Sequence, residues 1–325
     1  MGSPANRRGF LLSRCSPAAP GRDEPRVLLP IAPRLDYTSR LPRPIANTLS
    51  LLRSVLILTP LIWLYTIVLG ALSLLASFFD RDGSLQHAFA RLWSRMILAT
   101  TMTPVTVTGL ENIPRGKSVV YAVNHGSALD IPTLYANLPG QFRILAKKEL
   151  FRYPFMGWHL KRSGQIAIDR DDGPPPNGDP NRPANGAAPA MRRTVETLKR
   201  TVDTLRSGMP LLIFPEGGRC LDGHLQPFLG GAFYAAIRAG VDVVPMALVG
   251  TFEALRMNSF HIHPRPLQLV IGPPIPTTGY SVRERDALAA RVRSVISDLY
   301  YQRASLPRPA QAAPVASSQT TPLEH

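Results

Sequence analysis

One histidine and one aspartate stand at a spacing that suits proton transfer. His125 precedes Asp130 by five residues in the sequence NHGSALD, residues 124–130. Imidazole accepts a proton near neutral pH, and a carboxylate bonded to one ring nitrogen fixes the tautomer and stabilises the cation. The pair therefore fits a general base and its orienting group. Taken alone, the same spacing also fits two ordinary polar residues of a surface loop.

The segments around this pair place it at the end of a strand. The apolar run at residues 118–123 predicts a buried strand, and residues 131–138 predict a short helix. Strand ends in α/β folds face a cleft, so we expect His125 to be accessible to a ligand there.

Two further polar clusters follow predicted strands, and each carries a guanidinium that suits a phosphate. Asp169 and Arg170 follow the strand at 166–168, and the sequence PEGGR follows the strand at 212–214. Each cluster alone fits a solvated turn. Because the carboxyl ends of parallel strands share one edge of a sheet, we expect these groups to converge with the histidine. The predicted binding residues are Arg170, Glu216, Gly217, Gly218 and Arg219.

Predicted strands alternate with predicted helices over residues 103–304. The clearest amphipathic helix has apolar residues every three to four positions between 191 and 205, and residues 267–271 form the last apolar strand. This alternation predicts an α/β domain with a mixed, largely parallel sheet covered by helices.

The charge balance indicates an anionic partner. The chain of 325 residues has 37 Lys and Arg against 22 Asp and Glu, a net charge of +15. Anionic membrane lipids or a phosphate-bearing substrate fit this excess. Nucleic acid is not expected, because no zinc-finger spacing or aromatic RNA-binding motif is present. Cys15 and Cys220 make neither a disulfide framework nor a metal site, which favours a reducing compartment.

An apolar segment precedes the α/β domain. Residues 54–79 carry no charge over 26 positions, enough to cross a bilayer as a helix. A buried core helix is the alternative. The next segment, 85–102, suits an interfacial helix or one packed on the domain. The sequence fits either one membrane-associated helix or a helical hairpin. It also fits either a single full pass through the bilayer or an in-plane anchor.

Composition divides the chain into four parts. Residues 1–53 form a basic, Pro-rich arm that we expect to be largely disordered, with an organelle transit peptide as the alternative. Residues 54–102 are the membrane-associated segment. Residues 103–304 form the α/β domain, with an insertion at 171–189 that we expect to be mobile, and residues 305–325 are a predicted disordered tail.

Four motifs in this order resemble those of the 1-acyl-sn-glycerol-3-phosphate (lysophosphatidate) acyltransferases, a family of glycerolipid acyltransferases. The NHGSALD stretch resembles the family's His-four-residues-Asp box. The sequences GQIAIDR at 164–170, FPEGGR at 214–219 and VPMAL at 244–248 resemble the second, third and fourth blocks. The resemblance covers roughly residues 105–299 and fits a preceding apolar membrane segment.

This resemblance implies acyl transfer from a thioester to the hydroxyl of a lysolipid acceptor, in phospholipid biosynthesis. It implies His125 as the base, Asp130 as its orienting residue, and Arg170 and Arg219 as the groups that hold the acceptor phosphate. Glu216 would orient the acceptor or an arginine. The donor would be acyl-CoA or an acyl-carrier protein, with no cofactor and no metal. Thioester donors are cytosolic, so we expect the cytoplasmic face of a bacterial inner membrane and a hairpin or in-plane anchor.

Two departures from the family pattern leave the acceptor open. The family usually has Thr at the position of Gly218 and Ser at that of Cys220. A basic residue often stands where Leu229 follows Phe228, and in the family it is thought to help bind the phosphate. Another lysophospholipid or an aminolipid is therefore an alternative acceptor. A catalytically silent lipid-binding membrane protein of the same fold is the alternative from another class.

Overall fold

A computed structural model describes residues 43–80, 82–168 and 187–309 of the chain. The predictions made for residues 1–42, 171–186 and 310–325 lie outside these residues, and so does Arg170. The strands are β1 (Val105–Thr108), β2 (Val120–Val123), β3 (Arg143–Lys147), β4 (Ile166–Ile168), β5 (Leu211–Ile213), β6 (Val243–Val249) and β7 (Leu267–Ile271). The helices are α1 (Arg43–Arg53), α2 (Thr59–Ala76), α3 (Ser84–Thr100), α4 (Asp130–Asn137), α5 (Met156–Arg162), α6 (Ala187–Arg206), α7 (Gly231–Ala239), α8 (Thr251–Ala254) and α9 (Arg285–Tyr301).

The seven strands form one sheet in the order β1-β7-β6-β2-β5-β3-β4. The pair β6 and β7 is antiparallel, and the other neighbouring pairs are parallel. This confirms the predicted mixed, largely parallel sheet. Strand β2 lies between β5 and β6 and runs parallel to both, so the ends of these three strands meet at one edge.

Helices cover both faces of the sheet, as predicted. Because side chains alternate along a strand, Tyr121 and Val123 of β2 face one apolar layer, and Val120 and Ala122 face the other. The first layer contains α3 and α4, and the second contains α6, α7 and α9. All four residues of β2 are buried, which fixes the strand that leads into the histidine.

The prediction of disorder up to residue 53 was wrong for its last part. Residues Arg43–Arg53 form α1, which continues through a π-helical turn, Ser54–Leu58, into α2. Residues 45–52 carry no charge and extend the apolar run of the following segment, so they continue its helix. Pro60 has no N–H for Leu56 O, and the π-helical turn just before it accommodates this gap.

One helix among the described residues, Ile45–Ala76, is long and apolar enough to cross a membrane, by its length of 32 residues and mean hydropathy of 2.3. Most of its surface is exposed. Its partner α3 packs against both α2 and α4. The guanidinium of Arg91 on α3 donates to the carbonyl oxygens of Leu138 and Gly140, just beyond the end of α4. Arg91 and α3 thus pack on the domain, one of the two placements predicted for residues 85–102.

Candidate active site

The chain turns out of β2 at Asn124, whose side chain bridges two strands. Its Nδ2 donates to Leu248 O at 3.0 Å, and Leu248 N–H donates to its Oδ1 at 2.7 Å. Both bonds join the end of β2 to β6. An amide can make this pair of bonds because it carries one acceptor and two donors. Asn124 thus fixes the backbone immediately before His125, a role that sequence reasoning missed.

His125 and Asp130 are in direct contact. His125 Nδ1 lies 2.7 Å from Asp130 Oδ2, and the aspartate side chain is fully buried. The same oxygen accepts the N–H groups of Gly126 at 2.8 Å and Ser127 at 2.9 Å. The carboxylate also stands in the first turn of α4, where the helix dipole favours negative charge. With Nδ1 held in this way, Nε2 is the ring nitrogen left to exchange a proton with a substrate.

Two further contacts hold the histidine. The Phe214 ring, just after β5, stacks on the imidazole with centroids 4.0 Å apart and planes inclined by 20°. Cys220 N–H donates to His125 O at 2.9 Å. Burial raises the pKa of the Cys220 thiol to about 11, so it stays protonated at neutral pH. A protonated, buried thiol is a poor nucleophile, in keeping with a filler role for this cysteine.

Glu216 is bonded to the backbone on both carboxylate oxygens. Oε1 accepts His125 N–H at 2.9 Å, and Oε2 accepts Gln226 N–H at 3.0 Å. Burial raises the pKa of Glu216 to about 7, against the effect of these two donors. The sequence assigned Glu216 to the acceptor or to an arginine. The observed partners instead tie the loop after β2 to the loop after β5.

The two glycines after Glu216 have different surroundings. Gly217 has φ +74°, and a Cβ there would lie 2.9 Å from Leu229 Cδ1. Its left-handed backbone conformation favours glycine, whereas the exposed leucine side chain could move aside for a Cβ. A Cβ on Gly218 would meet no described atom within 4 Å. The position where the family usually has Thr is therefore open. Leu229, which stands at the family's basic position, lies directly over this loop and is 59% exposed.

Of the two predicted phosphate-binding arginines, only Arg219 lies among the described residues. Arg219 is partly exposed in the same loop, three residues after Glu216. Arg170 lies outside the described residues, and the strand before it, β4, is separated from β2 by β5 and β3. The predicted convergence of its cluster with His125 stays a prediction.

Few backbone N–H groups near the base are free to stabilise an oxyanion. Those of Gly126 and Ser127 are bonded to Asp130, and Gly217 N–H donates to Phe214 O at 3.1 Å. The two backbone N–H groups directly after the histidine are thus already bonded to Asp130. The amides of Gly218 and Arg219 remain the candidates among the described residues.

A basic cavity of about 440 Å³ lies at the outer edge of the sheet beside β4. Its lining residues are Lys148, Phe151, Arg152, Lys161, Gln165, Ala167 and Arg200. Three strand spacings of about 4.8 Å put β4 about 14 Å from β2. The sequence did not predict this cavity, which lies beside an edge strand of the sheet. No group of three or more metal-binding side chains occurs within the described residues.

Comparisons with known proteins find relatives over the part of the chain that holds this site. Residues 104–249 match the family model described as Acyltransferase. A 1-acyl-sn-glycerol-3-phosphate acyltransferase of Chlamydomonas reinhardtii is 36% identical over 167 residues, which cover 51% of this chain and 44% of that protein. A chloroplastic one of Arabidopsis thaliana is 33% identical over 174 residues, 53% of this chain and 43% of that protein. The alpha form of Homo sapiens is 31% identical over 189 residues, 58% of this chain and 61% of that protein.

The solved structure of a 1-acyl-sn-glycerophosphate acyltransferase from Thermotoga maritima has the same fold. The TM-score is 0.60 at 24% identity, over 78% of this chain and 95% of that one. The alignments span less than half the length of the first two relatives, 44% and 43%.

Residues 104–249, which hold the paired His125 and Asp130, match an acyltransferase domain. Within that class, the chain is similar to the 1-acyl-sn-glycerol-3-phosphate acyltransferases.

Proposed function

We propose that this protein is a membrane-bound O-acyltransferase in phospholipid biosynthesis. It moves a fatty acyl group from an acyl thioester to the free hydroxyl of 1-acyl-glycerol-3-phosphate, giving phosphatidate. The observation that carries the proposal is the 2.7 Å contact between His125 Nδ1 and Asp130 Oδ2 at the end of a central strand. The relatives named for this reaction support it.

His125 Nε2 accepts the proton of the acceptor hydroxyl while the oxygen attacks the thioester carbonyl carbon. Asp130 keeps Nδ1 protonated and stabilises the imidazolium that forms. The tetrahedral intermediate then collapses, the carbon–sulfur bond breaks, and the thiolate takes the proton back from His125. The products are the new ester and a free thiol, and no enzyme nucleophile takes part.

Arg219, together with Arg170, holds the acceptor phosphate in this proposal, and a guanidinium matches phosphate geometry. Glu216 acts on the backbone of His125, since both of its oxygens accept backbone N–H groups. The donor is acyl-CoA or an acyl-carrier protein. No metal and no other cofactor is required.

An in-plane membrane anchor fits the contacts of the long apolar helix. Near its start, Ser54 Oγ accepts Ile262 N–H at 3.1 Å, and near its end Ser73 Oγ lies 2.7 Å from His159 Nδ1. The 19 residue steps from Ser54 to Ser73 span about 29 Å of helix at ~1.5 Å per residue. The helix thus lies along the domain, and a perpendicular crossing would draw the domain's polar loops into the bilayer. Cytosolic thioester donors then favour the cytoplasmic face of a bacterial inner membrane.

Another lysolipid is the second candidate acceptor, and the position of Leu229 favours it. This leucine lies over Gly217, where the family often has a basic residue for the phosphate. An apolar side chain there offers no charge to a phosphate monoester. A lysophospholipid or an aminolipid would need none.

Free-thiol release from acyl-CoA and from acyl-carrier-protein thioesters tests the proposal, with a panel of lysolipids. We expect release with lysophosphatidate, its loss in His125→Ala, and its retention in His224→Gln, a histidine outside the site. Release only with other lysolipids would favour the second candidate. Release with none would favour a silent lipid-binding protein, and retained turnover in His125→Ala would overturn the mechanism.

A further inference from the structure

The start of the long apolar helix is fixed to the loop between α8 and β7, residues 255–266. Arg53 Nη2 donates to Ile262 O at 3.2 Å, and Ser54 Oγ accepts Ile262 N–H at 3.1 Å. Ser50 Oγ lies 3.1 Å from His261 Nε2. The loop is therefore positioned beside the membrane helix by specific polar contacts, and we call it the α8–β7 loop.

Cations gather where this loop meets α1. The imidazole rings of His261 and His263 lie 3.9 Å apart. Burial lowers the pKa of His263, and so do the positive charges around it, on His261, Arg256, Arg265 and Arg53. The acidic side chain that contacts this group is Glu253 of α8, whose Oε2 lies 3.9 Å from Arg265 Nη1. A proton on His263 thus meets net repulsion, which a bound anion would relieve.

Exposed apolar side chains flank the cations. Phe260, at the tip of the α8–β7 loop, is 65% exposed. On the neighbouring helix Leu49 is 44%, Leu52 47% and Leu56 67% exposed. An exposed aromatic residue beside basic residues and a leucine-rich helix face is the arrangement found at the level of lipid headgroups.

We propose that the α8–β7 loop and the end of α1 form a binding surface for the anionic headgroups of a phospholipid bilayer. In this arrangement Phe260 enters the interface, while Arg256, His261 and His263 contact phosphate groups. The proposal rests on the membrane placement proposed above, and it assigns a specific part of the domain to the lipid surface.

A lipid surface fits these residues better than a soluble polyanion. A nucleic acid would contact the cations without burying Phe260 and the leucines of α1. A bilayer satisfies both groups at once, because its headgroups carry the negative charge and the adjacent acyl chains accept the apolar side chains.

Flotation of the full-length protein with vesicles tests the surface. Vesicles of phosphatidylcholine alone are compared with vesicles in which phosphatidylglycerol replaces part of it. We expect the double variant Arg256→Gln/His263→Gln to lose most of the preference for anionic vesicles, with about a five-fold loss in partitioning for the guanidinium removed and a further loss at a pH below the pKa of His263. Arg283→Gln, an exposed cation before α9 on the other side of the sheet, is the matched control. A double variant that floats like this control overturns the proposal.

A histidine titration by NMR gives a second readout that does not depend on folding of a variant. The pKa of His263 should rise when micelles containing phosphatidylglycerol replace zwitterionic micelles, because the bound phosphate offsets the neighbouring cations. Binding should therefore strengthen as the pH falls through the raised pKa. If the pKa of His263 does not rise, the proposal is overturned. An equal rise with inorganic phosphate alone assigns the cluster to a soluble anion and also overturns it.

Acyl transfer by the wild-type protein in detergent is measured separately. Absence of thiol release there contradicts the proposed function, whereas equal flotation of the double variant and its control contradicts only the lipid surface.

Discussion

Glu216 Oε1 accepts a hydrogen bond from the backbone N–H of His125, with 2.9 Å between the two atoms. The other carboxylate oxygen accepts Gln226 N–H at 3.0 Å. One side chain therefore connects the loop that carries the histidine to the loop that follows β5. The position of the imidazole depends on the loop after β5 as well as on Asp130.

Glu216→Gln should lower kcat with little change in the acceptor's KM. An amide has a single acceptor oxygen, so one of the two backbone N–H groups is left without a partner. Such a loss costs about 1–3 kcal/mol in the free energy of unfolding. Initial rates and denaturant unfolding measure both effects, with the exposed Glu111→Gln as control. A raised KM at unchanged kcat would instead support the acceptor contact predicted from the sequence.

The same residue gives the protein a pH-dependent stability. Burial raises the pKa of Glu216 from 4.5 to about 7, so the folded state holds this proton more tightly than the unfolded state. Its contribution to the free energy of unfolding is therefore full at low pH and falls as the pH rises from about 4.5 to about 7. The slope can reach ~1.4 kcal/mol per pH unit.

Subtracting the Glu216→Gln unfolding curve from that of the wild type isolates this slope from the other carboxylates. A difference that stays flat across the window would contradict the raised pKa.

Asp130→Asn should reduce kcat by about 10²–10⁴-fold while the chain still folds. The amide oxygen can replace Oδ2 as acceptor for Gly126 and Ser127, but the negative charge that stabilises the imidazolium is lost. Initial rates of thiol release and thermal unfolding of Asp130→Asn are compared with those of Asp203→Asn, which changes an exposed aspartate on α6. Wild-type kcat in Asp130→Asn would remove the aspartate from the mechanism.

Leu229→Lys should improve the use of lysophosphatidate. The side chain at this position lies over Gly217 and is exposed, so a lysine can reach the acceptor site at little cost in stability. We expect the KM for lysophosphatidate to fall by up to about ten-fold, the effect of ~1.4 kcal/mol of added binding. Leu221→Lys, 75% exposed elsewhere in the same loop, controls for the added charge. Equal KM values for both variants would show that position 229 does not contact the phosphate.

Gly218→Thr should be accepted without loss of stability, whereas Gly217→Ala should not. The space around Gly218 is open, but Gly217 has a positive φ and a leucine carbon 2.9 Å from its would-be Cβ. We expect a destabilisation of about 1 kcal/mol or more for Gly217→Ala. Thermal unfolding of the two variants side by side is the measurement. A melting temperature that drops equally in both would contradict the distinction.

Local patterns in the sequence predicted most helices and strands and the polar clusters that follow the strands. The bounds of β7 were predicted correctly, because a clear apolar run ends there before a glycine. The strand order was not predictable, since no local signal states which strands are neighbours. The contact of Glu216 with His125 depends on β2 lying beside β5, and it was missed for that reason. The helix at 43–53 was missed because arginine and proline dominate the residues before it.

The contacts of the long helix at Ser54 and Ser73 have a kinetic consequence. With the in-plane anchor proposed above, the domain would be held at a fixed height beside the bilayer and would meet its lipid acceptor at a two-dimensional density. The rate then depends on the mole fraction of acceptor among the surrounding lipids, and adding inert detergent or lipid slows turnover at constant total acceptor. The mole fraction of acceptor in the bilayer, rather than its bulk concentration, would thus set the saturation of such an enzyme.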